Sequence, residues 1–133
     1  MLNKLTSIIC AGIRKKLTDV TIPRSNNNII ISRILRDHGF ISGIELSANK
    51  IKIFLKFYEN RPVLKEVRTI SRNGRKVYCS ARALHFSLTK LSKKSNFEDF
   101  SGLFFIQTSV GILTHKEAIR RNLGGEVLLV AYS

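Results

Sequence analysis

From Lys50 to Tyr58 the chain alternates: Ile51, Ile53, Leu55 and Phe57 fall on one side of an extended strand, and Lys50, Lys52 and Lys56 on the other. A strand of this kind has one face for a core and one that carries a row of cations into solvent. It has to sit in a sheet that is covered on one side only, so the preceding residues must supply the cover.

They have the pattern to do so. Leu2, Leu5, Ile8, Ile9 and Ile13 recur at three- and four-residue steps, which predicts a helix over Leu2–Leu17 with Lys4, Arg14, Lys15 and Lys16 on its other face. Val20-Thr21-Ile22 reads as a short strand closed by Pro23. A second helix starts at Ser25 or Asn26, carries Ile30, Ile31, Ile34 and Leu35 inward, and stops at Gly39. Phe40–Leu46 is a strand, followed by a turn at Ser47–Asn49.

Arg61-Pro62 marks a boundary, because proline removes a donor and biases its predecessor towards extended backbone. Beyond it, Val63–Ile70 and Val77-Tyr78 read as strands joined by the turn Ser71-Arg72-Asn73-Gly74. Phe86–Phe100 reads as an exposed loop. Leu103–Ile106 is a buried strand, and Thr108–Gly111 a strand-to-helix loop. Thr114 and Glu117 fit a capping box, with Thr114 as N-cap and Glu117 reaching back. The short helix carries Ala118 and Ile119, Gly124-Gly125 ends it, and Glu126–Tyr132 is a closing strand.

The expected class is therefore α+β in two small domains. Residues 1–62 form an N-terminal α/β layer of helix-strand-helix-strand-strand, and residues 63–133 a mostly β domain with one short helix.

Charge narrows the function. The 133 residues hold 23 Lys and Arg against 9 Asp and Glu, a formal charge of +14, yet 44% of them are hydrophobic. A core-forming chain with this excess calls for a polyanion, and each phosphate contact is rewarded by counterion release. Arg61, Lys65, Arg68, Arg72, Arg75, Lys76, Arg82, Lys90, Lys93 and Lys94 face the single acid Glu66 between residues 61 and 94, with Tyr78 and His85 interleaved. No stretch is long and apolar enough for a transmembrane helix, no basic amphipathic anchor stands out, and the N-terminus runs into a helical pattern without a signal cleavage site, so no membrane partner is expected. Cys10 and Cys79 lack CxxC spacing and are expected as reduced thiols. His38, His85 and His115 have no ligand partners at metal spacing, which argues against a metal, a cofactor or a catalytic centre. Near Gln107-Thr108-Ser109-Val110-Gly111, short hydroxyls beside a glycine let a backbone approach base edges or 2′-hydroxyls.

Three segments resemble the family of ribosomal protein eight of the small subunit in its short bacterial form. Val20-Thr21-Ile22-Pro23 with Ile34-Leu35-Arg36-Asp37-His38-Gly39-Phe40-Ile41 is similar to V-x-x-P with I-L-K-x-E-G-F-I. Ile70 to Tyr78 is similar to I-S-R-P-G-x-R-x-Y. Thr108 to Ala118, with Leu123-Gly124-Gly125-Glu126-Val127, is similar to S-T-S-x-G-x-M-T-x-x-x-A and G-G-E. They follow in family order and span most of the chain.

The resemblance implies a non-catalytic constituent of the small ribosomal subunit that binds the central domain of its RNA, supports folding and assembly, lies beside neighbouring small-subunit proteins and is not a homo-oligomer. It puts the RNA-entering loop at Thr108, Ser109 and Gly111, with Thr114 opening the next helix. Ser71, Arg72, Gly74, Arg75 and Tyr78 fall to backbone contacts and support. Outside the resemblance, Arg14, Lys15, Arg24 and Lys76 are read as RNA-binding cations, and Lys90, Lys93 and Lys94 as reaching additional RNA or a neighbouring protein.

Departures from the family are Gln107 for Ser, Val110 for Lys, Asn73 for Pro, Asn27-Asn28 for Lys-Leu, and a segment 83–101 longer by roughly ten residues, a length a surface loop absorbs cheaply. Usage rich in Ile, Asn, Lys and Phe suggests an A+T-rich coding sequence and an organelle-encoded, mitochondrial origin, with a plastid or a bacterium as alternatives. A competing reading from another class is an RNA-processing or RNA-modifying enzyme on the same basic surface, which would need a convergent acid/base or metal cluster.

Overall fold

In a computed structural model, which describes residues 2–71, 74–80, 82 and 102–132, the chain forms two compact units. They comprise residues 1–68 with 131–133, and residues 69–130.

The first unit is built as the alternation at residues 50–57 requires. Helix α1 (Leu2–Arg14), strand β1 (Asp19–Pro23), helix α2 (Asn26–Asp37), and strands β2 (Ile41–Leu46) and β3 (Lys50–Leu55) follow in order. The sheet order is β1-β3-β2, antiparallel throughout, with Val20 opposite Ile53 and Ile44 opposite Ile53 from the other side. A register shift between Ile41 and Gly43 adds Ser42 as a bulge. Ile51, Ile53, Leu55, Val20 and Ile22 are buried beneath Leu5, Ile9, Ile13, Ile31 and Leu35. Each such side chain contributes about 1.5–3 kcal/mol by leaving water. Lys50 and Lys52 are exposed on the opposite face. At Gly12 a Cβ would lie 2.3 Å from Val20 Cγ1, so the helix backbone itself packs on β1.

Three details differ from the pattern. α1 ends at Arg14, with Lys16 in the left-handed region at φ 54°. On α2, Ile31 and Leu35 are buried but Ile30 is exposed; Asn28 turns inward instead, its Nδ2 donating to Pro23 O at 2.8 Å. The helical period puts 28, 31, 32 and 35 on one stripe, and a satisfied amide occupies it as well as an isoleucine. Ser25 caps this helix, its Oγ accepting from Asn28 N at 3.2 Å, and Gly39 follows it at φ +79°. The third detail is a break in the strand expected through Tyr58. Lys56 O accepts from Val63 N at 2.9 Å, and β4 (Phe57–Tyr58) pairs with β5 (Arg61–Pro62) as a separate small hairpin.

Strands β6 (Glu66–Thr69), β7 (Tyr78–Cys79), β8 (Gly102–Thr108), β9 (Gly111–Thr114) and β10 (Gly125–Tyr132), with helix α3 (His115–Arg120), complete the chain. The five-stranded sheet has the order β6-β10-β8-β9, and β7 also pairs with β10. Leu103, Phe104, Phe105 and Ile106 of β8 and Val127 to Ala131 of β10 are buried, as continuous apolar runs in central strands must be. Among the described residues no helix is long and apolar enough to cross a membrane.

Candidate nucleic-acid interface

The Thr108–Gly111 segment is a hairpin turn, not the strand-to-helix loop expected from sequence. β8 and β9 pair antiparallel from Phe105 opposite Thr114 to Thr108 opposite Gly111, which leaves Ser109 and Val110 alone at the tip. Four residues of β9 with two small or hydroxyl members are too short for a strand signal. Thr108 is buried, and its hydroxyl staples the turn: it donates to Gly111 O at 2.8 Å and accepts from Val110 N at 3.3 Å. Gly111 sits at φ +120°, backbone that only glycine adopts freely. Ser109 and Val110 are exposed, Val110 by 60%. The Ser109 hydroxyl makes no hydrogen bond among the described residues. The tip thus presents one uncommitted small donor–acceptor and one apolar side chain on a turn fixed from within.

A second turn is fixed in the same way. Ser71 is buried; its Oγ donates to Val127 O at 2.5 Å and accepts from Val77 N at 3.0 Å. Val127 N in turn donates to Val77 O at 2.9 Å. This pins Ser71 and Val77 together on β10. Gly74 follows the left-handed path at φ +81°, Arg75 and Lys76 are exposed, and Tyr78 is 67% exposed opposite Glu126.

β10 joins the two turns. Gly125, opposite Cys79, rests so closely on β8 that a Cβ there would lie 2.0 Å from Gln107 O and 3.3 Å from Thr108 Cα. This explains Gly125 better than the helix stop read from sequence. α3 ends at Arg120, and Asn122 just past its cap takes the left-handed turn at φ 57°, while Gly125 already belongs to the strand. The Ser71–Tyr78 and Gln107–Gly111 segments, separated in the chain by residues 79–106, are therefore tied to one strand.

Thr114 caps α3, its Oγ1 accepting from Glu117 N at 3.3 Å. The reciprocal half of the expected capping box is absent from the described bonds. The Glu117 carboxylate accepts from Arg120 Nη2 and from Arg121 Nε, the latter at 3.0 Å. The Arg120 hydrogen bond, reinforced by Arg121, holds the Glu117 carboxyl below the usual carboxylate range. In sequence, two arginines at three and four residues from a glutamate were the available sign of this arrangement.

In the first unit, Arg14 and Lys15 are exposed at the end of α1 and make no ion pair among the described residues. Arg24 is exposed but braced on the β2–β3 turn: its Nη1 donates to Ser47 O at 2.7 Å and its N–H to Asn49 O at 3.1 Å. Arg72, Lys90, Lys93, Lys94 and His85 lie outside the described residues.

His38 Nδ1 lies 2.9 Å from Ile34 O, and buried His115 accepts from Phe104 N at 3.2 Å through Nδ1. His115 is thus an internal acceptor for the β8 backbone. Cys10 and Cys79 are free thiols, Cys10 donating to Val67 O at 3.1 Å. Among the described residues no group of three or more His, Cys, Asp or Glu side chains converges as a metal site would.

The sequence model of the family Ribosomal protein S8 matches residues 1–132. A small ribosomal subunit protein uS8 from Alcanivorax borkumensis is 31% identical over 126 residues, covering 92% of this chain and 88% of the relative. One from Vesicomyosocius okutanii is 33% identical over 132 residues, covering 96% and 92%. A third, from Pseudomonas fluorescens strain Pf0-1, is 30% identical over 131 residues, with the same coverage.

Proposed function

The chain belongs to the ribosomal protein S8 family, and from that premise we propose that this small-subunit ribosomal protein binds the central domain of the small-subunit RNA and supports its folding during assembly. The observation that carries this reading is the stapled β8–β9 tip. Thr108 spends its hydroxyl proton inside the turn, so the exposed Ser109 hydroxyl is held on a rigid mount with its hydrogen-bonding capacity uncommitted.

A small hydroxyl on a narrow tip can enter a distorted RNA groove and meet a base edge or 2′-hydroxyl. The Ser71 turn places Arg75, Lys76 and Tyr78 around a second fixed backbone, where cations meet phosphates and register the protein without reading sequence. Arg72, Lys90, Lys93 and Lys94 add cations to this half of the chain. In the first unit, Arg14, Lys15 and Arg24 hold flanking phosphates. Thr108, Gly111 and Thr114 act through the backbone they shape, and Ser71 and Gly74 likewise.

The role is non-catalytic, with neighbouring small-subunit proteins as the remaining partners and a single copy per particle. In support, Nδ1 of His38 and Nδ1 of His115 each face a backbone group. The residue usage favours an organellar, mitochondrial, gene, although the three relatives above are bacterial.

Chemical footprinting of a small-subunit RNA central-domain transcript tests the reading. The protein should protect an irregular internal loop, and Ser109→Leu should remove that protection while weaker, salt-sensitive protection of flanking helices persists. Full protection with Ser109→Leu would show that the tip does not enter the RNA. Organelle fractionation followed by sucrose-gradient sedimentation tests the location, with the chain expected in the small-subunit peak of mitochondrial lysate.

A further inference from the structure

The β4–β5 hairpin belongs to neither of the two stapled turns, and its composition is unusual for a bare surface. Tyr58 is 71% exposed, more than any other large hydrophobic side chain among the described residues. Its ring and hydroxyl make no hydrogen bond or ring contact there. Directly across the ladder stands Arg61, also exposed and in no ion pair among the described residues. Opposed residues in such a pair hold their Cβ atoms about 4.5–5.5 Å apart on one face, so Tyr58 and Arg61 leave the hairpin side by side.

The turn between them is Glu59-Asn60, with φ of 50° and 64°. Two consecutive left-handed residues make the tight connection that suits the twist of a two-residue hairpin. Asn tolerates this backbone, whereas Glu does not favour it. The base of the hairpin is secured by half-buried Phe57 and Pro62 and by the Val63 N to Lys56 O bond at 2.9 Å. The result is an anchored projection whose outward residues are an aromatic ring and an arginine.

We propose that the Tyr58–Arg61 face of this hairpin is a second RNA contact, which takes one unpaired base on the Tyr58 ring and its adjoining phosphate on the Arg61 guanidinium. An unstacked base recovers stacking on an aromatic face, and arginine supplies the charge-assisted contact to phosphate. Exposed Lys56 and Lys65 lie in the same segment, so the surroundings attract a polyanion. Glu59 is the one acid at the tip; it repels phosphate there and keeps the strand on the Tyr58–Arg61 side. The contact rests on the RNA-binding reading above but uses none of its residues.

The chain contains no Trp, so Tyr58→Trp introduces a single indole reporter. Titrating the full-length variant with oligoadenylate should quench that indole, as stacking on a base does. Tyr58→Ala should weaken oligoadenylate binding about ten-fold and Tyr58→Phe should leave it unchanged. Arg61→Ala should weaken binding and lower the dependence of log K on log salt by about one charge. All four substitutions fall on two solvent-exposed positions, Tyr58 and Arg61, and an unchanged melting curve verifies the fold of each variant.

Quenching with loss in Tyr58→Ala supports the contact. An unquenched indole, or Tyr58→Ala affinity equal to the unaltered chain, overturns it while leaving the Ser109 reading in place. Tyr58→Ala that binds RNA normally but fails to enter assembled subunits also overturns it, because the face would then meet a protein. No binding of oligoadenylate or of central-domain RNA by the unaltered chain would overturn both readings.

Discussion

The end of α1 and the tip of β8–β9 both belong to the proposed RNA surface, but they are made on opposite principles. At Arg14 and Lys15 nothing is fixed except charge: the side chains are exposed, unpaired among the described residues and free to find any phosphate. At Ser109 nothing is charged, and everything behind it is fixed by Thr108, Gly111 and the seat of Gly125 on Gln107. Flexible cations supply affinity that falls with salt and does not depend on RNA shape. A rigid neutral tip adds little attraction at a distance, but it discriminates, because a misplaced hydroxyl or an excluded backbone is costly. The two regions should therefore fail differently when altered.

The greatest effect should come from removing the seat of the tip. Gly125→Ala puts a methyl group against the Gln107 carbonyl, which belongs to backbone and cannot rotate away. The expected loss is about 3 kcal/mol of stability, together with specific RNA binding. The matched change in the first unit is Gly12→Ala, where the obstacle is a side chain, Val20 Cγ1. Overpacking of about 1–3 kcal/mol is offset there by about 1 kcal/mol of helix propensity. Thermal melts of the two variants measure the difference, and equal losses would mean that Gly125 is not the more constrained seat.

Thr108→Val should come next. It keeps the shape but leaves Val110 N–H and Gly111 O without their shared partner, at about 1–2 kcal/mol. Amide exchange at Val110 should accelerate, and specific binding should weaken although Thr108 itself is buried. Arg14→Ala with Lys15→Ala should spare stability and lower the salt slope of RNA binding by about two. The smallest effect belongs to α3. The lowered Glu117 carboxyl contributes to stability above the usual carboxylate range and loses that contribution as pH falls through its depressed value. Protection factors at the end of α3, with the intrinsic pH dependence of amide exchange divided out, should therefore fall in acid for the native chain and be pH-independent in Glu117→Gln.

Sequence reading did well where one periodicity decided the structure. The 50–55 alternation, the α1 stripe and the apolar run at 103–106 all lie where the pattern puts them, because burial on one face leaves a strong signal. It did less well where a tertiary contact decided. Ile30 and Asn28 exchange places because a single backbone acceptor, Pro23 O, rewards the amide. β9 was hidden because four residues cannot show a period. In sequence Gly125 reads as a helix stop, since the carbonyl that excludes a side chain there belongs to β8. At the interface, the right segments were visible as hydroxyl–glycine runs, but which hydroxyl is free was not. That depends on Thr108 and Ser71 turning inward, which no spacing reveals.

The central claim is that shape at Ser109, separate from charge, carries specificity. A salt titration of central-domain RNA binding for the native chain and for Ser109→Leu tests it directly. The variant should bind more weakly by about 1–3 kcal/mol at every salt concentration, with the slope of log K against log salt unchanged. Superimposed lines, or a slope that flattens with the substitution, would contradict it.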